Sequence, residues 1–197
     1  LYELYPGLRG TAHGYLNIKA KPSLSATANL AIDNFGYQNS LSIKKLSLKG
    51  ELPTSMTTPA KMVAQMDTLR SGGREIQYAA LTLSGTRKAH LIQLQGWNYY
   101  SKFYVQMAGG FNAQNDWLGQ VQKGEFDSVR VHLIQDQNAP IIYTTANKEL
   151  YVGQHCWSSQ QSQLCFDQPI RASQTRGNVS VLTKKLDLKG FGAFMPE

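Results

Sequence analysis

Cys156 and Cys165 are the only cysteines in the chain, and their type and spacing point most directly to chemistry. Gln160 and Gln161 lie midway between them. If that pair forms a two-residue turn, Ser159 faces Ser162, Trp157 faces Leu164, and the cysteines land opposite each other, within reach of a disulfide. A bridge closing so short a loop contributes roughly 2–3 kcal/mol and implies an oxidising compartment such as a periplasm. The alternative is a pair of reduced, buried thiols in a cytosolic protein. A metal centre fits poorly: His155 beside Cys156 adds only a third ligand, and the spacing matches no usual zinc pattern.

The four histidines, His13, His90, His132 and His155, stand far apart with no carboxylate or cysteine at a spacing that forces a site. No glycine-rich phosphate loop joins a strand to a helix, and no nucleophile elbow is present. The expectation is a protein that is not an enzyme and needs no cofactor and no metal. Its 20 Lys and Arg against 13 Asp and Glu give a formal charge of +7. That balance suits an anionic partner, whether nucleic acid, phospholipid headgroups or lipopolysaccharide. The basic residues are scattered, however, with Lys44-Lys45, Arg87-Lys88 and Lys184-Lys185 the densest pairs, as on an ordinary solvated surface. Trp97, Tyr99, Tyr100, Phe103 and Tyr104 cluster in one stretch, but only Lys102 interrupts them. Base stacking with interleaved phosphate contacts needs more cations than that, so no nucleic acid is expected as a partner.

The elements that must carry these residues read as strands. Leu16 and Ile18 sit between polar neighbours, and Leu24, Ala26, Ala28, Leu30 and Ile32 keep one parity. Tyr78, Leu81 and Leu83, then Phe103, Val105 and Met107, then Val129, Val131 and Leu133 continue the habit. Asn34-Phe35-Gly36, Ser71-Gly72-Gly73, Gly109-Gly110, Asn138-Ala139-Pro140 and Asn147-Lys148 read as turns between strands of an antiparallel meander. Ile43-x-x-Leu46-x-Leu48-x-Gly50 and Tyr78-x-x-Leu81-x-Leu83-x-Gly85 echo each other, and a looser form recurs from Leu182 to Gly190. A step of three reverses strand parity, so both passages call for a bulge or local bend. Helical signal is limited to a turn through Leu1, Leu4, Tyr5 and Leu8 and to Pro59–Leu69, where Met62, Ala64 and Met66 also alternate as a strand, the reading that suits the neighbouring strands.

Leu4-Tyr5-Pro6, led by Leu1, and Phe194-Met195-Pro196, led by Phe191, share one pattern at the two ends, which suggests one unit of a longer repetitive protein. The sequence opens on Leu1 and no apolar run approaches the roughly 20 residues needed to cross a bilayer. The expectation is that any targeting segment or membrane anchor lies outside residues 1–197.

Three passages carry a family resemblance: LYPGLRG at 4–10 followed by GYLNIKAKPSLSATANL at 14–30, GQHCWSSQQSQLC at 153–165, and LDLKGFGAFMPE at 186–197. They resemble periplasmic segments of the TamB family of translocation and assembly module subunits, in the wider AsmA-like group. Gly190 and Gly192 depart from the pattern by weakening the closing helix. The resemblance implies an all-β fold: an elongated, curled antiparallel sheet, a β-taco, with an apolar concave groove and at most short terminal helical turns. Residues 1–197 would be one repeat-like segment of an inner-membrane-anchored protein of a Gram-negative bacterium. It further implies a periplasmic conduit for phospholipid acyl chains between inner and outer membranes, or alternatively a scaffold that helps an outer-membrane barrel partner, TamA, insert autotransporters and other barrel proteins.

Taking the apolar phase of the clearest strands, the lipid-binding groove is expected to include Leu16, Ile18, Leu30, Ile32, Ile43, Leu46, Leu48, Tyr78, Leu81, Leu83, Val105, Met107, Val131 and Leu133. A closed sandwich or barrel would instead place the same residues in an ordinary core. Two acyl chains of ordinary length cost on the order of 25 kcal/mol in water at about 0.8 kcal/mol per methylene, so a carrier path tolerates no wet gap.

Overall fold

A computed structural model describes residues 7–19, 25–38, 40–53 and 55–186. Among these, every regular element is a strand, and no helix is long and apolar enough to cross a membrane. The expected terminal helical turns and end pattern lie outside the described residues, apart from Leu8, which opens the first strand.

Five long strands come first: β1 (Leu8–Lys19), β2 (Ser25–Tyr37), β3 (Leu41–Leu52), β4 (Pro59–Ser71) and β5 (Arg74–Thr86). The stretch that also carried a helical signal is thus β4, where Met62, Ala64 and Met66 gain cross-strand partners on both sides that an isolated helix would lack. Three more follow: β6 (His90–Trp97), β7 (Ser101–Phe111) and β8 (Trp117–Ser128). All eight pair in sequence order, each antiparallel to the next. Gly72 and Gly73 both adopt positive φ in the β4–β5 turn, as a tight hairpin that follows the right-handed strand twist requires.

Beyond β8 the sheet forks. The first half of β8, Trp117 to Val121, pairs with β10 (Ala139–Thr144), which leads to β11 (Glu149–Val152), β14 (Ile170–Ala172) and β15 (Gly177–Asn178). The second half, Glu125 to Asp127, pairs with β9 (His132–Gln135), which leads to β12 (His155–Ser158), β13 (Gln163–Phe166) and β16 (Leu182–Lys184). The fork falls at a bulge: Gln106 pairs with Lys123 and Met107 with Val121, so Gln122 is an extra residue. The sheet is curled but open: among the described residues β1 is bonded only to β2 and β15 only to β14.

Some turn signals mark other devices. Asn34-Phe35-Gly36 lies inside β2, where Asn34 has φ 52°. Gly109 and Gly110 lie inside β7, pressed so closely by neighbouring backbone that no side chain would fit. Ala139 and Pro140 begin β10, and Val129 sits at an exposed hairpin tip rather than in a strand. Glycine and asparagine serve bulges and close approaches as well as turns, which explains each difference.

Candidate functional site

Residues directly opposite in antiparallel strands share a face, so the register builds the site row by row. One row runs Leu16, Ala28, Gly50, Met62, Leu83, Ile92, Met107, Val121 and Ala139, from β1 to β10. The next runs Gly14, Leu30, Leu48, Ala64, Leu81, Leu94, Val105 and Gly124. A third runs Ala12, Ile32, Leu46, Met66, Ala79, Gly96, Phe103, Phe126 and Leu133. No charged side chain enters any of them. At about 4.8 Å per strand the first row is about 40 Å long, and three rows about 7 Å apart give a continuous apolar strip.

Most of the expected groove residues therefore stand on one face: Leu16, Leu83 and Met107 in the first row; Leu30, Leu48, Leu81 and Val105 in the second; Ile32, Leu46 and Leu133 in the third. Ile18, paired with Ala26, extends this face at the edge strand. Val131 is buried against Phe126 and Leu133 but sits just outside a strand. Ile43 belongs to a separate row, Phe35, Ile43, Leu69 and Ile76, beyond a bend. Tyr78 is misplaced by the sequence reading. It pairs with Asp67 and Trp97 on the polar face, accepts a hydrogen bond from Gln65 at 3.1 Å, and stacks on Trp97 with centroids 4.2 Å apart. The parity change in β5 comes at Gln77, before Tyr78, rather than after it. Met62, Met66, Ile92, Leu94, Val121 and Phe126 complete the rows; the alternation Ile92, Leu94 was visible in the sequence, whereas the two methionines lay in the segment that also read as a helix.

Large rings lie flat on this face because glycines lie beneath them. A Cβ on Gly109 or Gly119 would meet the Trp117 ring at 2.6 or 2.5 Å, one on Gly96 would meet Phe103 at 2.8 Å, and one on Gly124 would strike Trp157. Trp117, Val121, Ala139 and Ile141 form one buried cluster under the β10 arm, and Phe126, Val131 and Leu133 another toward the β9 arm. The Trp117 indole N–H donates to His90 Nε2 at 2.7 Å, while His90 Nδ1 lies 2.9 Å from the Thr86 carbonyl. An indole only donates and a carbonyl only accepts, so buried His90 is the neutral Nδ1–H tautomer.

The opposite face is polar. Gln93 donates to the Tyr104 hydroxyl at 2.9 Å, that hydroxyl donates to Gln106 at 2.8 Å, and Gln106 donates to Gln122 at 3.2 Å, a ladder across β6 to β8. Near the β4–β5 turn Glu75 accepts a hydrogen bond from Arg70 at 2.7 Å and holds its guanidinium above the usual value, and on the polar face Glu125 raises the Lys123 ammonium in the same way. In the β12–β13 hairpin Cys156 pairs with Cys165 and Trp157 with Leu164, while the Ser159 N–H donates to the Ser162 carbonyl at 2.8 Å, the register expected from Gln160-Gln161. The cysteine sulfurs are bonded in the structure. Of the expected aromatic cluster, Phe103 packs on the apolar face, Tyr104 joins the polar ladder, and Tyr99 and Tyr100 are exposed at a hairpin tip. Among the described residues no group of three or more His, Cys, Asp or Glu is placed to hold a metal ion.

An open β-sheet with one polar face and one unbroken apolar face defines a scaffold that presents a long lipophilic surface. The chain belongs to the family of the TamB N-terminal domain, whose model matches residues 1–197. It is 24% identical over 194 residues to the translocation and assembly module subunit TamB of Haemophilus influenzae, an alignment that covers 95% of this chain and 15% of that protein. The chain thus spans about 15% of the length of the curated relative it matches. No solved structure matches the chain significantly.

Proposed function

We propose that the apolar face holds phospholipid acyl chains and that residues 1–197 are one segment of a longer periplasmic protein, anchored through other residues in the inner membrane, which conducts lipid toward the outer membrane. The observation that carries this reading is the continuity of the three rows from β1 to β8, without a charged side chain. A methylene stepping between adjacent strands crosses about 5 Å and never has to be rewetted. The face is also open where it begins: Leu16 is 47% exposed and Leu81 43%, and exposed apolar surface of this extent is an interaction surface. The Cys156–Cys165 pair supports the periplasmic part, since a bridge persists in an oxidising compartment.

A second reading rests on the open edge of β1, whose outer backbone groups could pair with a strand of a nascent barrel protein, as in a module that works with an outer-membrane barrel such as TamA. One substitution separates the two. Leu48→Asp puts a carboxylate in the second row but leaves the β1 edge intact. The expected result is lost phospholipid delivery and lost lipid photocrosslinks from a probe at Leu83, with barrel-protein insertion retained. Normal lipid delivery with failed insertion would replace the conduit reading with the scaffold.

A further inference from the structure

The bend anticipated from Ile43-x-x-Leu46 is one part of a crease that crosses the first five strands. The register passes from Asp33–Lys45 to Phe35–Ile43, from Lys45–Asp67 to Ile43–Leu69, and from Asp67–Tyr78 to Leu69–Ile76. Each step omits one residue on each strand, so Asn34, Lys44, Thr68 and Gln77 fall in line. On β1 the register shifts at the same level, between Arg9 and Thr11, where Gly10 has φ 125°. Asn34 and Thr68 hold left-handed φ of 52° and 49° in the middle of strands. For a β-branched threonine that conformation is a true outlier, and such strain concentrates where a structure has a use for it.

The crease opens into a cavity of about 970 Å³ walled by Arg9, Lys44 and Arg70 together with the apolar Phe35 and Ile43. Its two carboxylates are already engaged, Asp33 by His13 at 3.0 Å and Glu75 by Arg70 at 2.7 Å. Lys44 has no side-chain partner among the described residues and stands at the centre of the line. Arg9 lies over Gly36, where a Cβ would meet its Nε at 3.1 Å, and its guanidinium donates to the Gln38 carbonyl at 3.1 Å, so it borders the cavity at the edge beside the crease. A cavity that combines a lysine unpartnered among the described residues with the apolar Phe35 and Ile43, and whose carboxylates are already engaged, fits an anion attached to an apolar body.

We propose that this crease binds the phosphate of a phospholipid headgroup, an assignment that rests on the acyl-track reading of the apolar face. Ile32 and Leu46 of the third row lie just before the crease, and Phe35 and Ile43 just after it. Lys44 supplies a point charge to a phosphate oxygen, and Arg70, held in place by Glu75, supplies a second donor at the rim. The crease then acts as a fixed headgroup station beside a track that otherwise recognises only methylenes.

The experiment uses the full-length protein and three probes: short-chain phosphatidylglycerol, the matching diacylglycerol without phosphate, and inorganic phosphate. Binding is read by calorimetry for the parent, Lys44→Gln and Leu48→Asp. The expected result is phosphatidylglycerol binding at least fivefold weaker in Lys44→Gln, diacylglycerol binding unchanged in that variant, and inorganic phosphate bound far more weakly than the lipid. Loss of lipid binding in Leu48→Asp with no effect of Lys44→Gln overturns the headgroup site while leaving the acyl track standing. Inorganic phosphate bound as tightly as the lipid also overturns the assignment, because the site would then read a free anion. Lys44 is exposed, so Lys44→Gln leaves folding intact, and a Lys44→Arg variant that keeps parental binding completes the expected pattern.

Discussion

β1 to β5 and the region from β8 onward share one apolar face but keep it in place by different means. The first region uses strands of 12 or 13 residues, each paired along nearly its whole length. With so many ladder hydrogen bonds, its apolar side chains need not pack tightly, and Leu16 and Ile18 stay largely exposed on the edge strand. The second region uses strands of six residues or fewer once the sheet forks. Short ladders hold little by themselves, so side chains close the gap: Trp157 lies on Gly124, Trp117 on Gly119, and Leu133 is 1% exposed. An apolar surface can therefore be left available for a partner only where the backbone alone holds the sheet.

That contrast breaks most clearly under truncation. Leu133→Ala removes a fully buried side chain between Phe126 and Val131 and is expected to cost about 3 kcal/mol. Leu16→Ala, on the same face, is expected to cost less than about 1 kcal/mol, because nearly half of that residue already meets solvent. Urea denaturation of both variants measures the difference. Equal losses would show that the first region is closed over in solution and that its face is a core.

The disulfide gives the next largest effect, again confined to the second region. Replacing both Cys156 and Cys165 with serine is expected to cost about 2–3 kcal/mol, and dithiothreitol should destabilise the parent protein by a similar amount while leaving the double variant unchanged. Alkylation without reductant, followed by mass spectrometry, should find neither thiol labelled in the parent. Two labelled thiols would remove both the stabilisation and the support it lends to a periplasmic address.

How much of this was legible depended on whether a feature is local. Alternation at Leu30 and Ile32, or at Leu81 and Leu83, fixes which side chains share a face, since period two leaves no choice within one strand. The Gln160-Gln161 turn fixed the cysteine register for the same reason. The step of three from Ile43 to Leu46 announced a bend, and the bend is there. What a single strand cannot state is the partner's register: that Asn34, Lys44, Thr68 and Gln77 align, that the parity change in β5 precedes Tyr78, or that the sheet forks where Gln122 is inserted. Gly109 and Gly119 were equally opaque, because a glycine beneath a tryptophan and a glycine in a turn look alike until the tryptophan is placed.

The smallest effect tests the crease, the one place where the first region departs from regular pairing. Thr68 at φ 49° bears a left-handed cost of about 1–2 kcal/mol, whereas glycine there bears only its own entropic cost of about 0.5–1 kcal/mol. Thr68→Gly is therefore expected to stabilise the protein by about 0.5–1 kcal/mol in urea denaturation. Asn34→Gly, in the same line, should change stability by less than about 0.3 kcal/mol, because asparagine tolerates the left-handed region by bonding to its own backbone. The two variants together separate strain from mere geometry. A stabilising Thr68→Gly beside a silent Asn34→Gly means that the sheet holds its crease against a local preference, as a site retained for binding would. If both are silent or both destabilise, the crease is a relaxed bend, and the long strands of the first region are as free of local conflict as their regular pairing suggests.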